Sequence, residues 1–344
     1  MKLNRKKNHP INHSNHIKPV LSLPKDHSSE HRSVALLSLY SIPIIWGTTF
    51  AIVQRALLDI TPMAFCVVRL ALVSVAFLVL SGSARKGAKL IFRARTSAER
   101  LFRRDILVLG ASFGIGYLLQ TAGLLTTTTS KSAFLTSTAV IWTPIISSLV
   151  GREKITAKLG MAVMLTLAGV FLMTQPYRAA GLSVGDLLTL GCAIMFGVYI
   201  VWIDRAVLHA KMVTGSEHAA TMMVTSTQMV AASLLLVVFL PAVETPRFVL
   251  TPYSIGALVF TALIATGATA YLQARYQNVV SPATAAVIYM IEPVTAMLIA
   301  ELFLSEQIGF LELLGGLLII TGVIIAQAPK KRMRDFTERM KAEG

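Results

Sequence analysis

A carboxylate and a proline stand side by side within a long apolar segment, in the stretch YMIEPVTAML at positions 289 to 298. A proline inside a helix removes one backbone donor and displaces the carbonyl four residues earlier, which here belongs to Tyr289. A glutamate in the middle of a membrane segment normally faces the interior of a helix bundle and marks a substrate pathway, a proton relay or an ion site. Glu292 is therefore the first candidate for a substrate contact and for a proton or ion site. Pro293 is predicted to break its helix.

Other polar and aromatic side chains occur within apolar segments, and a second helix break is predicted at Pro144. At helical spacing, Glu292 shares a face with Tyr289 and Thr295, so polar groups converge there. The sequence predicts a central aqueous cavity that binds a small molecule. Its predicted lining residues are Trp46, Tyr117, Gln120, Thr143, Tyr199, Tyr271, Tyr289 and Glu292.

Structural alternatives stay open for two charged residues within the predicted spans, Glu292 and Arg69. Glu292 has an equally good interpretation as a neutral, hydrogen-bonded structural carboxyl. Arg69 lies near the outer end of its segment, where its long side chain could reach the lipid headgroups. The alternative for Arg69 is an ion pair with a substrate carboxylate.

The elements that must position these residues are membrane helices. Of the 344 residues, 54% are hydrophobic and 14% are charged, and the mean hydropathy is +0.66, which is typical of a membrane protein. Crossing ~30 Å of hydrocarbon takes about 20 apolar residues in a helix. Ten such spans are predicted, at 34–53, 63–81, 106–125, 132–150, 157–174, 186–203, 220–240, 254–272, 283–304 and 309–327.

The net charge of +15 is distributed unevenly along the chain. With the N-terminus placed in the cytoplasm, only Arg55, Lys131, Arg178 and Arg247 would lie on the opposite side, and Arg69 within the second span. This bias follows the positive-inside rule and predicts that both termini are cytoplasmic in a multi-pass protein of the plasma membrane. The basic excess therefore indicates topology and contact with the lipid bilayer, and no nucleic-acid partner is predicted. Residues 1–32 are predicted to be a disordered basic arm, and residues 328–344 a basic cytoplasmic tail.

The two halves of the chain are similar in sequence. Gly47 and Arg55 match Gly197 and Arg205 at an offset of 150 residues, and Pro144 matches Pro293. The repeats are predicted at 34–174 and 186–327, with five spans each. Because five is odd, the second repeat must be inverted in the membrane relative to the first, which is the usual basis of alternating-access transport.

Several motifs in this order resemble the EamA family of permeases in the drug/metabolite transporter superfamily. They are WGTTF in the first span, Arg69, TP followed by GREKI, SPATAAVIYMIEPV, LFLSEQI and LGGLLIITGV. The resemblance covers nearly all of residues 34–327. It implies an all-α fold of ten transmembrane helices in two inverted EamA repeats. It also implies a central cavity lined by spans 1, 3, 4, 6, 8 and 9, with spans 5 and 10 more peripheral.

The predicted function is a permease that moves a small organic metabolite, such as an amino-acid-like compound, and export is favoured over import. No GxxxxGK[ST] motif occurs, so no nucleotide cofactor is predicted, and no metal site or catalytic residue is predicted either. If a proton is coupled, Glu292 is its best carrier, because burial favours the neutral carboxyl. The alternatives are a membrane-embedded enzyme and a non-transporting scaffold. A homodimer is compatible with the sequence.

Overall fold

The computed structural model of the protein describes residues 29–127, 129–175, 183–304 and 309–327. Most of the predicted arm, the predicted tail and the linker that carries Arg178 lie outside these ranges. The described part of the chain is α-helical, and its one strand-like contact is an isolated antiparallel bridge between Ile60 and Phe248.

The first repeat contains α1 (Ser29–Gly47), α2 (Thr49–Ala56), α3 (Pro62–Leu80), α4 (Gly82–Phe92), α5 (Ser97–Gly123), α6 (Thr129–Ser137), α7 (Ala139–Leu149) and α8 (Ala157–Thr174). The second repeat contains α9 (Val184–Thr214), α10 (Glu217–Val243), α11 (Pro252–Val259), α12 (Thr269–Tyr276), α13 (Pro282–Tyr289), α14 (Ile291–Leu304) and α15 (Phe310–Gln327). A π-helical segment, Phe260–Ala268, joins α11 to α12, and a 3₁₀ turn, Gln277–Val279, follows α12.

Seven helical segments of the described chain are long and apolar enough to cross a bilayer, and they coincide with predicted spans 1, 2, 3, 4, 6, 7 and 8. Spans 5 and 10 correspond to shorter apolar helices, and span 9 corresponds to α13 and α14. The protein is therefore an all-α integral membrane protein, and the total of ten spans stays a prediction. The seven segments are Arg32–Ala56, Pro62–Leu80, Ser97–Gly123, Ser132–Leu149, Val184–Thr214, Glu217–Val243 and Pro252–Val279.

Capping boxes fix the starts of the two long helices α5 and α9. The Thr96 hydroxyl accepts from the Glu99 amide at 3.2 Å, and a Glu99 carboxylate oxygen accepts from the Thr96 amide at 3.0 Å. Ser183 and Asp186 make the same reciprocal pair at the start of α9. Both helices extend beyond the apolar spans predicted for them, because polar and charged residues outside the hydrocarbon continue the helical turn.

The helix interruptions lie close to the two predicted breaks but not at the prolines themselves. Pro293 lies in the first turn of α14, where a backbone amide would have no acceptor within the helix, so the proline removes no helical hydrogen bond. The helix is interrupted at Met290 instead. Pro144 lies inside α7, which continues through it, and the interruption comes earlier, at Thr138. There the Thr138 amide donates to the Leu135 carbonyl at 3.1 Å, in the tighter i−3 pattern that ends a helix.

The first helix of each repeat crosses the other repeat at a glycine. A β-carbon at Gly47 would lie 2.7 Å from the carbonyl oxygen of Glu292 and 2.9 Å from Cβ of Thr295. A β-carbon at Gly197 would lie 3.0 Å from Cβ of Trp142 and 3.3 Å from the amide nitrogen of Thr143. Thr143 and Glu292 occupy matching positions of the two repeats. The same crossing therefore occurs twice, and each time it joins one repeat to the other.

The last helices of the two repeats, α8 and α15, pack against each other with the same symmetry. A β-carbon at Gly169 would lie 2.5 Å from the carbonyl oxygen of Gly315, and one at Gly322 would lie 2.9 Å from that of Ala162. Large apolar side chains of α15 remain exposed, including Leu317. This pair is thus a second contact between the repeats and lies toward the edge of the bundle.

Two loop contacts show which helix ends lie on the same face of the bundle. The Thr61 amide donates to the Arg247 carbonyl at 3.2 Å, and the Arg247 guanidinium donates to the Leu58 carbonyl at 2.9 Å. The loop between α2 and α3 therefore meets the loop between α10 and α11. On the opposite face, Lys86 Nζ donates to the Val213 carbonyl at 3.3 Å, which joins α4 to the end of α9.

Because the crossing at Gly47 leaves no room for a methyl group, we expect Gly47→Ala to destabilise the protein by about 1 to 3 kcal/mol, the usual effect of overpacking. The control is Gly256→Ala, since a β-carbon at Gly256 meets no atom within 4 Å. The control should be neutral or slightly stabilising, because alanine favours the helix. Thermal unfolding in detergent measures both variants. Equal midpoints for the two would contradict the close crossing.

Candidate functional site

A cavity lies between helices of both repeats at the level of Glu292. About 480 Å³ of space there, part of it open to solvent, is not filled by protein atoms. An adjoining pocket of about 350 Å³ shares part of its wall with the cavity and adds Tyr289. The lining residues of the larger cavity are Trp46, Thr49, Phe113, Tyr117, Gln120, Thr136, Phe196, Tyr199, Ile200 and Glu292.

Four aromatic rings from α5 and α9 form one wall of this cavity. The ring of Phe113 lies 4.6 Å from that of Tyr117 and 5.0 Å from that of Tyr199, between centroids. Tyr117 meets Phe196 edge-on at 5.4 Å. These distances are those of favourable aromatic pairs, so the wall is rigid and presents ring faces and edges to a ligand.

Trp46 also lines the cavity and is held by the π-helical segment and the first residue of α12. Its Nε1 donates to the Ala265 carbonyl at 3.1 Å and to Thr269 Oγ1 at 3.2 Å. Its ring meets that of Tyr289 edge-on at 5.4 Å. A π-helical turn has wider backbone spacing than an α-helix, and such turns often occur at functional sites. The indole is thus held by a polar anchor on one edge and an aromatic contact on its ring.

Glu292 is the one acidic side chain among the lining residues of the cavity, and no Lys, Arg or His is among them. It lies in the first turn of α14, where the helix dipole favours a negative charge. No hydrogen bond or ion pair joins its carboxylate to a side chain in the described ranges. The cavity is therefore suited to a ligand that brings a hydrogen-bond donor or a positive charge to this group.

One end of the cavity is closed by a polar network. The Tyr289 hydroxyl donates to Gln277 Oε1 at 3.4 Å, and Gln277 Nε2 donates to the Ile200 carbonyl at 2.7 Å and to Asp204 Oδ1 at 3.3 Å. Asp204 also pairs with Arg152, with 3.7 Å between Nη2 and Oδ2. Arg152 belongs to the first repeat and the other four to the second, so this network holds the repeats together at one end of the cavity.

The other end of the cavity is less tightly closed. Thr49 and Gln120 are partly exposed there, and one hydrogen bond of 3.2 Å joins Gln120 Nε2 to Oγ1 of the buried Thr136. By contrast, Gln277 in the closing network is fully buried. The cavity therefore opens toward the end of the bundle at which α2 ends and α6 begins.

A sequence model of the EamA-like transporter family matches the chain twice, over residues 33–175 and 183–327. The chain belongs to the EamA-like transporter family. The two matches fall on the two halves of the chain that are similar in sequence, so the protein has the EamA two-repeat architecture. The number of spans in each repeat stays a prediction.

Relatives of this EamA-like chain carry the same general name. It is 30% identical over 294 residues to an "Uncharacterized transporter" of Archaeoglobus fulgidus, covering 86% of each protein. It is 25% identical over 296 residues to "Uncharacterized transporter YoaV" of Bacillus subtilis, covering 84% of this chain and 95% of the relative. A solved crystal structure shares the fold with a TM-score of 0.67 at 16% identity, over 86% of this chain and 97% of the other. The protein is accordingly a membrane transporter.

Most residues predicted to line the cavity of this EamA-like transporter lie at it: Trp46, Tyr117, Gln120, Tyr199, Tyr289 and Glu292 line the cavity or its adjoining pocket. Thr143 is fully buried, and its hydroxyl donates to the Ala139 carbonyl, so it is occupied within its own helix. Tyr271 lies in the first turn of α12, and its hydroxyl is 3.4 Å from His218 Nδ1. Neither of these two is among the lining residues.

Sequence reasoning missed Thr49, Phe113 and Phe196 as lining residues. Phe113, Tyr117 and Gln120 follow one another at helical spacings of four and three, so their common face on α5 was a usable signal. The closing network was also missed, because charged residues at helix ends are ordinary in membrane proteins.

Arg69 points into the protein and does not reach the lipid headgroups. Its side chain is 3% exposed, and Nε donates to Thr266 Oγ1 at 2.6 Å and to the Thr261 carbonyl at 3.2 Å. Its guanidinium lies 4.3 Å from the centroid of the Tyr117 ring, on which it stacks. Both acceptors belong to the π-helical segment. Because these contacts hold the guanidinium inside the protein, the prediction that the Arg69 side chain reaches the lipid headgroups is wrong. Arg69 thus packs against Tyr117, one of the rings of the aromatic wall.

We expect Arg69→Lys to destabilise the protein by about 1 to 3 kcal/mol, because an ammonium cannot reproduce the planar stack and the Nε hydrogen bonds. The matched control is Arg55→Lys, since Arg55 also lies over a tyrosine ring, that of Tyr253 at 5.6 Å, but is exposed. The control should change stability by less than about 0.5 kcal/mol. Thermal unfolding of both variants is the measurement, and a control as damaging as Arg69→Lys would contradict this role.

Proposed function

We propose that this transporter moves a small organic metabolite across the plasma membrane by alternating access through the cavity beside Glu292. The observation that carries the proposal is the cavity itself, which lies between the repeats and is closed at one end by contacts between them. A site shared by two repeats can open to either side when the repeats change their relative position.

The proposed topology has ten spans in two inverted repeats. The loop contacts support it: the loop after the first span meets the loop between the second and third spans of the second repeat. Parallel repeats would place these two loops on opposite faces. With both termini in the cytoplasm, as the positive-inside rule indicates, Arg152 and Asp204 lie on the cytoplasmic face. In this proposed orientation the cavity would open to the outside.

We propose a substrate that carries an aromatic or planar apolar part and an amino group. The aromatic walls from α5, α9 and α1 suit the apolar part, since ring contacts add to the hydrophobic term. Glu292, with no cation among its lining neighbours, suits the amino group. Amino-acid-like metabolites meet both conditions, and export is the proposed direction.

A thermal-shift screen tests this substrate class directly. The purified full-length protein is heated with pairs of compounds that differ only in the amino group, for example an aromatic amine and its deaminated analogue. Binding raises the melting temperature according to concentration over Kd. We expect the amine of each pair to stabilise more, and the difference to disappear in Glu292→Gln. Stabilisation by the deaminated partners alone would contradict the proposed class.

The runner-up functions receive less support. A membrane-embedded enzyme needs a nucleophile with a base or a metal cluster, and none is assembled at the cavity by its lining residues. A non-transporting scaffold would show ligand binding without flux. Uptake of a stabilising compound into proteoliposomes therefore separates the transporter from the scaffold.

If a proton is carried on Glu292, Glu292→Gln should remove the pH dependence of transport, because the amide does not titrate. We expect transport driven by a pH gradient to fall by about five- to hundredfold, the usual size of coupling between two sites. The control is Glu217→Gln, because Glu217 is 39% exposed and pairs with Arg275 away from the cavity. Flux across a range of pH in proteoliposomes is the measurement, and an unchanged pH profile in Glu292→Gln would remove the proton role.

Loss of the Arg152–Asp204 pair should open the closed end of the cavity more often. We expect Arg152→Gln to speed the labelling of Ile200→Cys by a membrane-impermeant maleimide about fivefold, the value of a partly exposed ion pair. Ile200 is 5% exposed and lies beside the network, and both native cysteines are fully buried. Arg275→Gln is the control, because its ion pair with Glu217 lies within one repeat. Equal labelling in the two variants would argue against a gate at Arg152.

A further inference from the structure

Helix α4 stands outside the repeat pattern. It occupies Gly82–Phe92, between α3 and α5, whereas the matching connection of the second repeat, residues 244–251, contains no helix. Helix α4 is therefore not part of the repeated unit, and its presence needs a separate physical reason.

One face of α4 is fastened to the bundle. Ala84, Gly87 and Leu90 are buried, and a β-carbon at Gly87 would lie 2.8 Å from Cγ of Met223 on α10 and closer still to the Thr227 hydroxyl. Only a glycine permits this approach. The face of α4 that points away from α10 is fixed as a result.

Two cations of α4 bind the ends of neighbouring helices. Arg85 Nη1 donates to the Leu78 carbonyl at 2.9 Å at the end of α3. Lys86 donates to the Val213 carbonyl at the end of α9. Free carbonyls at a helix end attract cations, and these bonds lay α4 across the face of the bundle where the two helices end.

The remaining cations of this segment have no such partner. Lys89, Arg93 and Arg95 are exposed, and no hydrogen bond or ion pair joins their side chains to the residues that the structure describes. The chain contains no Asp or Glu from residue 60 to residue 98. The next acidic residue, Glu99, is already bound by the backbone amides of Arg95 and Thr96. Cations that outnumber the nearby carboxylates in this way favour an anionic partner.

Exposed apolar side chains flank these cations. Phe92 is 70% exposed and Leu80, at the end of α3, is 81% exposed. Both lie where membrane helices end, which is the depth of the lipid headgroups. A basic and aromatic surface at this depth fits a phospholipid, because cations meet the phosphate while the ring enters the boundary with the acyl chains.

We propose that Lys89, Phe92, Arg93 and Arg95 form a binding site for the headgroup of an anionic phospholipid. The guanidinium groups of Arg93 and Arg95 bind phosphate oxygens with paired hydrogen bonds, and Lys89 supplies a third positive charge. The site is independent of the transport cavity, because none of its residues lines that cavity.

The test uses full-length protein in nanodiscs made of phosphatidylcholine with increasing fractions of phosphatidylglycerol, and it measures the thermal midpoint at each fraction. Each cation near an anionic surface strengthens binding severalfold. The triple variant Lys89→Gln, Arg93→Gln, Arg95→Gln should therefore need at least about tenfold more phosphatidylglycerol for the same stabilisation. Single variants at Lys89 and Arg93 should show smaller shifts in the same direction.

A matched control removes three exposed cations of the same face outside α4, by Arg104→Gln, Lys154→Gln and Lys211→Gln. This control should respond to phosphatidylglycerol as the wild type does, and all variants should melt alike in phosphatidylcholine alone. An equal loss of response in the control would mean that overall charge, and not this site, binds the lipid. Equal stabilisation of the wild type by inorganic phosphate would also overturn the proposal, since it would indicate a free-phosphate site.

Discussion

A carboxylate in the middle of a bilayer must be enclosed by protein, and the arrangement of this transporter depends on enclosing Glu292. Its helix begins anew at Ile291, so the carboxylate stands in a first turn and not in a continuous helix. The first helix approaches this turn so closely that only Gly47 fits, and Trp46, one residue earlier, then lies against Tyr289. The aromatic walls complete the enclosure and leave space for a ligand.

The two repeats pack through equivalent glycine crossings but carry different side chains at matched positions. The matched crossings at Gly47 and Gly197 show that both repeats pack by the same rule, yet the residue that matches Glu292 is Thr143. Likewise Asp204 of the closing network matches Gln54 in the first repeat. At these matched positions a carboxylate therefore occurs only in the second repeat. A symmetric frame would give two equivalent conformations, and an asymmetric set of side chains would make one of them more stable than the other.

Composition and periodicity predict the parts of this fold that burial controls. The apolar segments and the inward position of Glu292 follow from the high cost of polar groups in hydrocarbon, so both can be predicted from the sequence. The repeat can be predicted from the similarity of the two halves. The contacts of Arg69 could not be predicted, because the π-helical segment that supplies Thr261 and Thr266 has no simple sequence pattern. Tyr271 was placed at the cavity because helix faces drift over a long span, and a small error in register moves a side chain to another surface. The network around Gln277 depends on contacts between distant segments, which spacing along one helix does not reveal.

The most direct test of the account is a reversible lock across the closing network. Cysteines in place of Arg152 and Asp204 would be joined by a reducible thiol cross-linker, with little interference from Cys66 and Cys192, which are fully buried. If the two repeats move alternately about the cavity, flux of a stabilising compound through proteoliposomes stops in the locked protein and returns on reduction, while binding of that compound from the open side persists. Undiminished flux in the locked protein would contradict alternating movement of the two repeats about this cavity.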